Sequence, residues 1–203
     1  MVNIHDILNN IVFKYLSFYD KHVFKKINKY NDNIKIVNLF DIGHIYLMKL
    51  DDSILTHYSH VVKLGASHNC KISNVNHMKK IKHLNARGTC SINVNGIKNI
   101  NLEVLDASYN PKITDVNHMV DLRDLTACRS CGICDRGIKN VNLEILLSCH
   151  NSKISNVNHM TNLKLWCIDE LCNADDVHSR SYNYVKLNDP NDLKVNKKQK
   201  TDR

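Results

Sequence analysis

The 203-residue chain contains no run of 18 apolar residues, so no segment of it reads as a membrane span. It begins Met1-Val2-Asn3-Ile4-His5-Asp6, without the basic-then-apolar layout of a secretory signal. The expected compartment is therefore the cytoplasm, with the nucleus as the alternative. Aromatic residues make up only 6%, and the net charge of +8 is not organised as a nucleic-acid motif. The surplus is spread over Lys14, Lys21, Lys25, Lys26 and Lys29, then concentrated in Lys194, Lys197, Lys198, Lys200 and Arg203. That distribution reads as a solvated surface and a tail, and the KKQK run is only a weak nuclear-import signal. Nucleophile elbow, phosphate-binding glycine loop and dinucleotide fingerprint are all missing. The residues point to no catalytic constellation and no cofactor, and the expectation is a protein that is not an enzyme.

What the chain has in abundance is repetition. A shift of 41 residues returns Leu64, Leu105 and Leu146; Asn69, Asn110 and Asn151; Ile72, Ile113 and Ile154; and Val75, Val116 and Val157. The word NVNHM stands at Asn74–Met78 and Asn156–Met160, and as DVNHM at Asp115–Met119; GIKNIN from Gly96 returns as GIKNVN from Gly137. Each unit divides again, because Leu64, Leu84, Leu105, Leu125, Leu146 and Trp166 follow one another in steps of 20 or 21 residues. Six coils thus start near Val61, Ile81, Leu102, Leu122, Leu143 and Leu163. In the last, Trp166 replaces Leu and Leu171 stands where Asn or Ser is expected, as befits a closing coil.

Within a coil the pattern is L-x-x-L-x-A/S-x-x-N/S/T-x-x-I, as in Leu102, Leu105, Ala107, Asn110 and Ile113. Strand residues alternate sides, so the fourth and sixth positions point inward and the third, fifth and seventh outward. One coil cannot bury its apolar edge alone, whereas coils stacked about 4.8 Å apart pair their strands and share a core. The ninth position (Asn69, Thr89, Asn110, Ser130, Asn151) offers a small polar side chain to backbone groups exposed where the chain leaves the strand. Over residues 61–173 this resembles the leucine-rich repeat. The resemblance implies an α/β solenoid with a parallel concave sheet. Coils this short leave room on the convex side only for 3₁₀ turns or extended chain.

Residues 1–30 read as two short helices, carrying Ile4, Ile7, Leu8, Ile11, Val12, Tyr15 and Leu16, then Val23, Phe24 and Ile27. The run ILNNIVFKYLSFYDKHVFKKINK resembles an F-box, the helical motif that docks receptors onto the Skp-type adaptor of cullin ubiquitin ligases. Leu8 and Ile11 match its first apolar pair, Tyr15 and Leu16 the end of helix one, Asp20 the acidic start of helix two, and Val23 and Ile27 the apolar positions after it. The family's usual Pro near the start and the Trp after Ile27 are absent. An amphipathic cap on the repeat array is the alternative. The Asn-rich layout, with 28 asparagines, also resembles F-box and repeat proteins of large DNA viruses, which would place it in host cytoplasm. Residues 31–60 read as a linker and a degenerate N-terminal cap, and residues 174–203 as a polar segment expected to be disordered from about 186.

Eight cysteines, with Cys128-x-x-Cys131-x-x-Cys134 among them, invite a metal. Their frame position argues against one. Cys70, Cys90, Cys131 and Cys172 share the tenth position, Cys128 and Cys149 the seventh, and CGIC has no second pair. His77, His118 and His159 recur every second coil, about 10 Å apart, which suits a capped turn or a surface stripe. Gly96 and Gly137 share a turn where positive φ or tight packing is required.

What remains is a surface. The outward residues expected to meet a protein target are His83, Arg87, Val104, Asp106, Asp124, Ile145, Leu147 and Leu165, with Tyr109, Arg129 and His150 on the rim. Ile145, Leu147 and Leu165 would form an exposed apolar patch unless the C-terminal segment covers them. The expected function is protein recognition, as a ligase receptor subunit or as a stand-alone binding module.

Overall fold

The computed structural model describes residues 38–40, 44–167 and 185–186. Among them, three-residue strands recur once per coil: β2 (Lys63–Gly65), β3 (His83–Asn85), β4 (Val104–Asp106), β5 (Asp124–Thr126), β6 (Ile145–Leu147) and β7 (Leu165–Cys167). A shorter β1 (Asn38–Leu39) precedes them and β8 (Val185–Lys186) follows. All eight join one sheet in chain order, parallel from β1 to β7, with β8 antiparallel on β7 through Leu165↔Lys186 and Trp166↔Val185. Such short strands are not stable alone, and the sheet exists because the coils stack into a solenoid.

Register follows the leucines. Leu64, Leu84, Leu105, Leu125, Leu146 and Trp166 are successive partners across the sheet, and the five leucines are at most 1% exposed. A slip of one residue would turn all of them to solvent. Two positions on, Ala66, Ala86, Ala107 and Ala127 are fully buried, their small size letting the chain turn close to the core. Ile72, Ile92, Ile113, Ile133 and Ile154 form a third inward row, and Met78, Met119 and Met160 alternate with Ile100 and Val141 in another. At about 1.5–3 kcal/mol for each large side chain removed from water, these rows hold the stack together. Leu39, Leu50, Leu55 and Tyr58 belong to the same core, so the region read as a degenerate cap packs on the array. The helices expected over 1–30, with Leu8, Ile11, Tyr15, Leu16, Asp20 and Val23, lie outside the described residues, as does everything past 167 except β8.

The other side of each coil explains why the true repeat is 41 residues and not 20. Alternate coils carry a single helical turn: α1 (His44–Leu47) and α2 (Asp52–Leu55) before the array, α3 (Val94–Ile97), and a 3₁₀ turn at Asp135–Ile138. The expectation of 3₁₀ or extended chain therefore holds at Asp135–Ile138, while Val94–Ile97 winds as α-helix. Asn93 caps α3 by accepting from the Asn95 and Gly96 amides at 2.9 and 3.1 Å.

The intervening coils have no helix and carry the NVNHM word, which clamps the helical turns on both sides. Asn74 and Asp115 fold the local turn by accepting from the amides of Asn76 and Asn117. Asn117 then reaches forward: its Nδ2 donates to Arg136 O at 2.8 Å and its Oδ1 accepts from Asn140 N at 2.8 Å. Asn76 makes the same pair with Asn95 O and Asn99 N. The histidines reach back. Nε2 of His77, His118 and His159 meets the carbonyls of Leu55, Ile97 and Ile138 at 3.0, 3.0 and 2.9 Å, each at the end of the preceding helical turn. Terminal helix carbonyls have no partner within the helix, and the imidazole supplies one. Removing that donor by His118→Ala is expected to lower stability by about 1 kcal/mol, read from the urea midpoint at unchanged m. A loss below a third of that would show the bond to be idle.

At the ninth position only the asparagines act as expected. Asn69, Asn110 and Asn151 are buried, and Nδ2 of each donates to two carbonyls of the preceding chain. Thr89 and Ser130, in the helix-bearing coils, are exposed.

Candidate interaction surface

The same register that buries the leucines aligns their neighbours on the sheet's outward face. The third position is the row Lys63, His83, Val104, Asp124, Ile145 and Leu165; the fifth is Gly65, Asn85, Asp106, Thr126, Leu147 and Cys167. The ladder continues past the strands, as Ala86 N donates to Asp106 O and Gly88 N to Ser108 O, both at 2.8 Å. It brings Arg87, Ser108, Cys128 and Cys149 into a seventh-position row. All the residues expected to contact a target therefore lie on one continuous surface.

Their environments differ along it. His83 is held below the ordinary histidine range by burial and then by the Lys63 charge, with Glu103 and Asp124 opposing. Asp124 is raised by burial and by Glu144, partly offset by His83, Arg123 and Lys164. Asp106 is committed to the fold, since its Oδ1 accepts from Ser108 N at 2.9 Å, just as Asn85 accepts from Arg87 N at 3.1 Å. The apolar patch is less open than an exposed one, since Leu147 is buried while Ile145 and Leu165 are half-buried. Leu147 is 8% exposed, and with Cys128 and Cys149 it makes a second small core against which Tyr109, Ile145 and Leu165 pack. These side chains bury one another across adjacent strands, which is how an apolar row on a sheet face removes itself from water.

Four of the described cysteines, Cys90, Cys128, Cys131 and Cys149, serve packing, whereas Cys70, which shares the tenth position with Cys90 and Cys131, is exposed and Cys134 is half-buried. Cys90 and Cys131 are fully buried, and burial pushes both thiols up to about 11. In the Cys128–Cys149 pair, a hydrogen bond between the two thiols lowers Cys128 and raises Cys149. No group of three or more His, Cys, Asp and Glu side chains among the described residues converges as metal ligands would.

The two ends of the strands differ in charge. At the entry, Lys82, Glu103, Arg123, Glu144 and Lys164 alternate in sign from coil to coil, with Lys82–Glu103 at 3.3 Å and Lys164–Glu144 at 2.6 Å. These exposed pairs add little stability but neutralise that edge. At the exit, residues 67–73, 87–93, 108–114, 128–134 and 149–155 contain no Asp or Glu, and each segment contains one Lys or Arg. Searches against protein-family models, curated proteins and solved structures return no significant match.

That exit edge holds the feature sequence reasoning missed. His68, Tyr109, Arg129 and His150 have φ of 58°, 59°, 63° and 57°, and Gly88 at the same place has 74°. In the turns Ala66–Asn69, Ala107–Asn110 and Ser148–Asn151, the fourth amide donates to the first carbonyl at 3.0 to 3.1 Å. Positive φ at the third residue of such a turn favours Gly or Asn. Here large side chains stand in a left-handed conformation that disfavours them by about 1 kcal/mol or more apiece. The rim expected from Tyr109, Arg129 and His150 is real as an alignment, and His68 and Gly88 extend it.

Proposed function

We propose that this chain is a protein-recognition subunit of the leucine-rich-repeat type. Its F-box-like N-terminal helices would bind a Skp-type adaptor, and its outward sheet face would hold a target for ubiquitination. The observation that carries the recognition reading is the contrast between the two faces of one sheet. Inward positions repeat the same side chains from coil to coil, Leu, Ala and Ile, while outward partners in the same register read His83, Val104, Asp124, Ile145 and Leu165. Packing demands uniformity of a stacked core. The outward variety has no such cause, and an aperiodic surface on a regular scaffold suits an aperiodic partner.

The repeat identity is supported by a parallel strand every 20 or 21 residues, with buried leucine at its centre and a buried asparagine ladder past its end. The adaptor role rests on the resemblance of residues 8–27. Against the alternative of a stand-alone module whose first 30 residues only cap the core, Leu39, Leu50, Leu55 and Tyr58 already close on that core. The chain would present its target and leave the transfer chemistry to other subunits, in the cytoplasm of the cell.

Retention of purified Skp-type adaptor on the immobilised full chain tests this reading. Wild type is expected to retain the adaptor, and Leu16→Asp to lose most of it while unfolding at the same temperature. If wild type retains none, or Leu16→Asp retains as much, the ligase role fails.

A further inference from the structure

We propose that the exit edge of the solenoid is a docking strip for an acidic segment of a protein chain, one rich in Asp and Glu. The inference rests on the reading that this sheet face recognises protein, and it names the chemistry of what is recognised. Three observations converge on it.

The first is sign. Lys71, Arg87, Lys112, Arg129 and Lys153 supply one cation per coil over five successive coils; the segments themselves contain no Asp or Glu, and the three carboxylates that touch their ends, Asp52, Asp106 and Asp135, are taken up by Ser73, Ser108 and Ser155. At about 4.8 Å per coil the strip is about 19 Å long, the reach of six or so extended residues. The lysines are positioned by the fold: Nζ of Lys71, Lys112 and Lys153 donates to Met48 O, Cys90 O and Cys131 O at 3.0, 3.3 and 2.6 Å. Each ammonium carries three donors and so keeps others for a carboxylate.

The second is backbone conformation. The left-handed row would be relaxed by Gly, as it is at Gly88, yet four of its five places hold His, Tyr or Arg. The side chains at those places are present despite the fold. Nε of Arg129 is buried with no hydrogen-bond partner among the described residues, so the fold makes no use of this side chain as a donor at that atom.

The third decides between a peptide and a nucleic acid. A single strand bound on a cationic groove needs free aromatic faces for its bases. The one large aromatic ring of the strip, Tyr109, has its face taken. The Arg87 guanidinium lies 5.1 Å from the centre of the Tyr109 ring, and Tyr109 packs on the Cys128–Leu147–Cys149 cluster. The His68 ring covers Gly88, where an added Cβ would sit 2.2 Å from its Cε1. Charge is offered to a ligand here more than a stacking platform is.

The probes are a fluorescein-labelled decapeptide alternating Glu and Ser, the same peptide with Gln for Glu, and a labelled ten-residue oligothymidine, titrated against the full chain by anisotropy. The acidic peptide is expected to bind at least tenfold more tightly than the Gln peptide and than the oligothymidine, and to weaken as salt is raised. Arg129→Gln, which keeps the backbone and removes the charge, is expected to weaken it about fivefold or more. Arg129→Gly is expected to weaken it as far while unfolding at the same or a higher temperature, because the turn relaxes. Equal binding of the two peptides, tighter binding of the oligothymidine, or an unchanged affinity in both Arg129 variants would overturn the proposal. Adaptor retention measured on the same Arg129→Gln protein separates the two readings, since it depends on residues 8–27 and not on this edge.

Discussion

Replacing Asn110 by alanine is expected to cost about 3–5 kcal/mol, a loss few single substitutions of a surface-turn residue approach. The side chain is fully buried. Its Nδ2 donates to Ala86 O at 2.9 Å and Ile92 O at 3.0 Å, and its Oδ1 accepts from Lys112 N at 3.0 Å. The two carbonyls lie on either side of the turn in the preceding coil, so one amide ties that turn shut from below and fixes its own turn as well. Alanine removes all three bonds and leaves two carbonyls buried where water cannot readily replace the partner, each penalised by about 1–3 kcal/mol, and a half-buried Lys112 amide without its acceptor. Aspartate is no remedy, because one of its oxygens would face both carbonyl oxygens. Thr89→Ala and Ser130→Ala, at the same frame position but exposed, are expected to change stability by less than about 0.5 kcal/mol. Urea titration of the three variants gives the comparison. Hydrogen exchange should place the lost protection in the two coils that Asn110 joins, because a stacked repeat fails locally before it fails as a whole. A loss at Asn110 no larger than at Thr89 would refute this account of the ladder.

The contrast between Asn110 and Thr89 also marks how far the sequence could be read. The leucine spacing was enough for the solenoid, the parallel register and the inward rows, because each follows from periodicity in a strand that alternates sides. It was enough, too, for the outward row from His83 to Leu165, which is the same periodicity offset by one. What it could not give was the alternation of coil type. The 41-residue repeat was visible, yet its cause lies in Asn117 and His118 reaching neighbouring coils in opposite directions, contacts some 20 residues apart with no local signature. The left-handed row was hidden for a different reason. Positive φ is recognised by Gly or Asn, and four of its five places carry neither. Gly88, in frame with His68 and Tyr109, was the one available hint. The apolar end of the surface was left open between an exposed patch and a covered one, because outward-facing does not by itself mean open to water. Cys128, Leu147 and Cys149 are outward and still buried, by one another.

Gly137→Ala is expected to destabilise the chain by about 3 kcal/mol, although helix propensity alone would have alanine gain about 1 kcal/mol in a helical turn. Closeness reverses the sign. A Cβ on Gly137 would stand 2.1 Å from Thr114 O and 3.1 Å from Thr114 C, both backbone atoms of the preceding coil. No rotamer change relieves a contact with backbone, so the two coils must part. The parting acts on a seam already dense with bonds: Val116 N donates to Gly137 O at 2.9 Å, and Asn117 holds Arg136 O and Asn140 N beside it. Since φ at Gly137 is not positive, the need is for space and not for a left-handed turn. Gly96 is in the same position one repeat earlier, 2.0 Å from Ser73 O, and Gly96→Ala should cost a similar amount. The two seams share no coil. The double variant should therefore lose the sum of the single losses to within about 0.5 kcal/mol, provided unfolding stays a single transition. Thermal and urea unfolding of the two single variants and the double variant decide the matter. Were Gly137→Ala as stable as wild type, the backbones of neighbouring coils could not approach as closely as the carbonyl of Thr114 requires, and the clamp formed by Asn117 and His118 would have to be looser than its bond lengths imply.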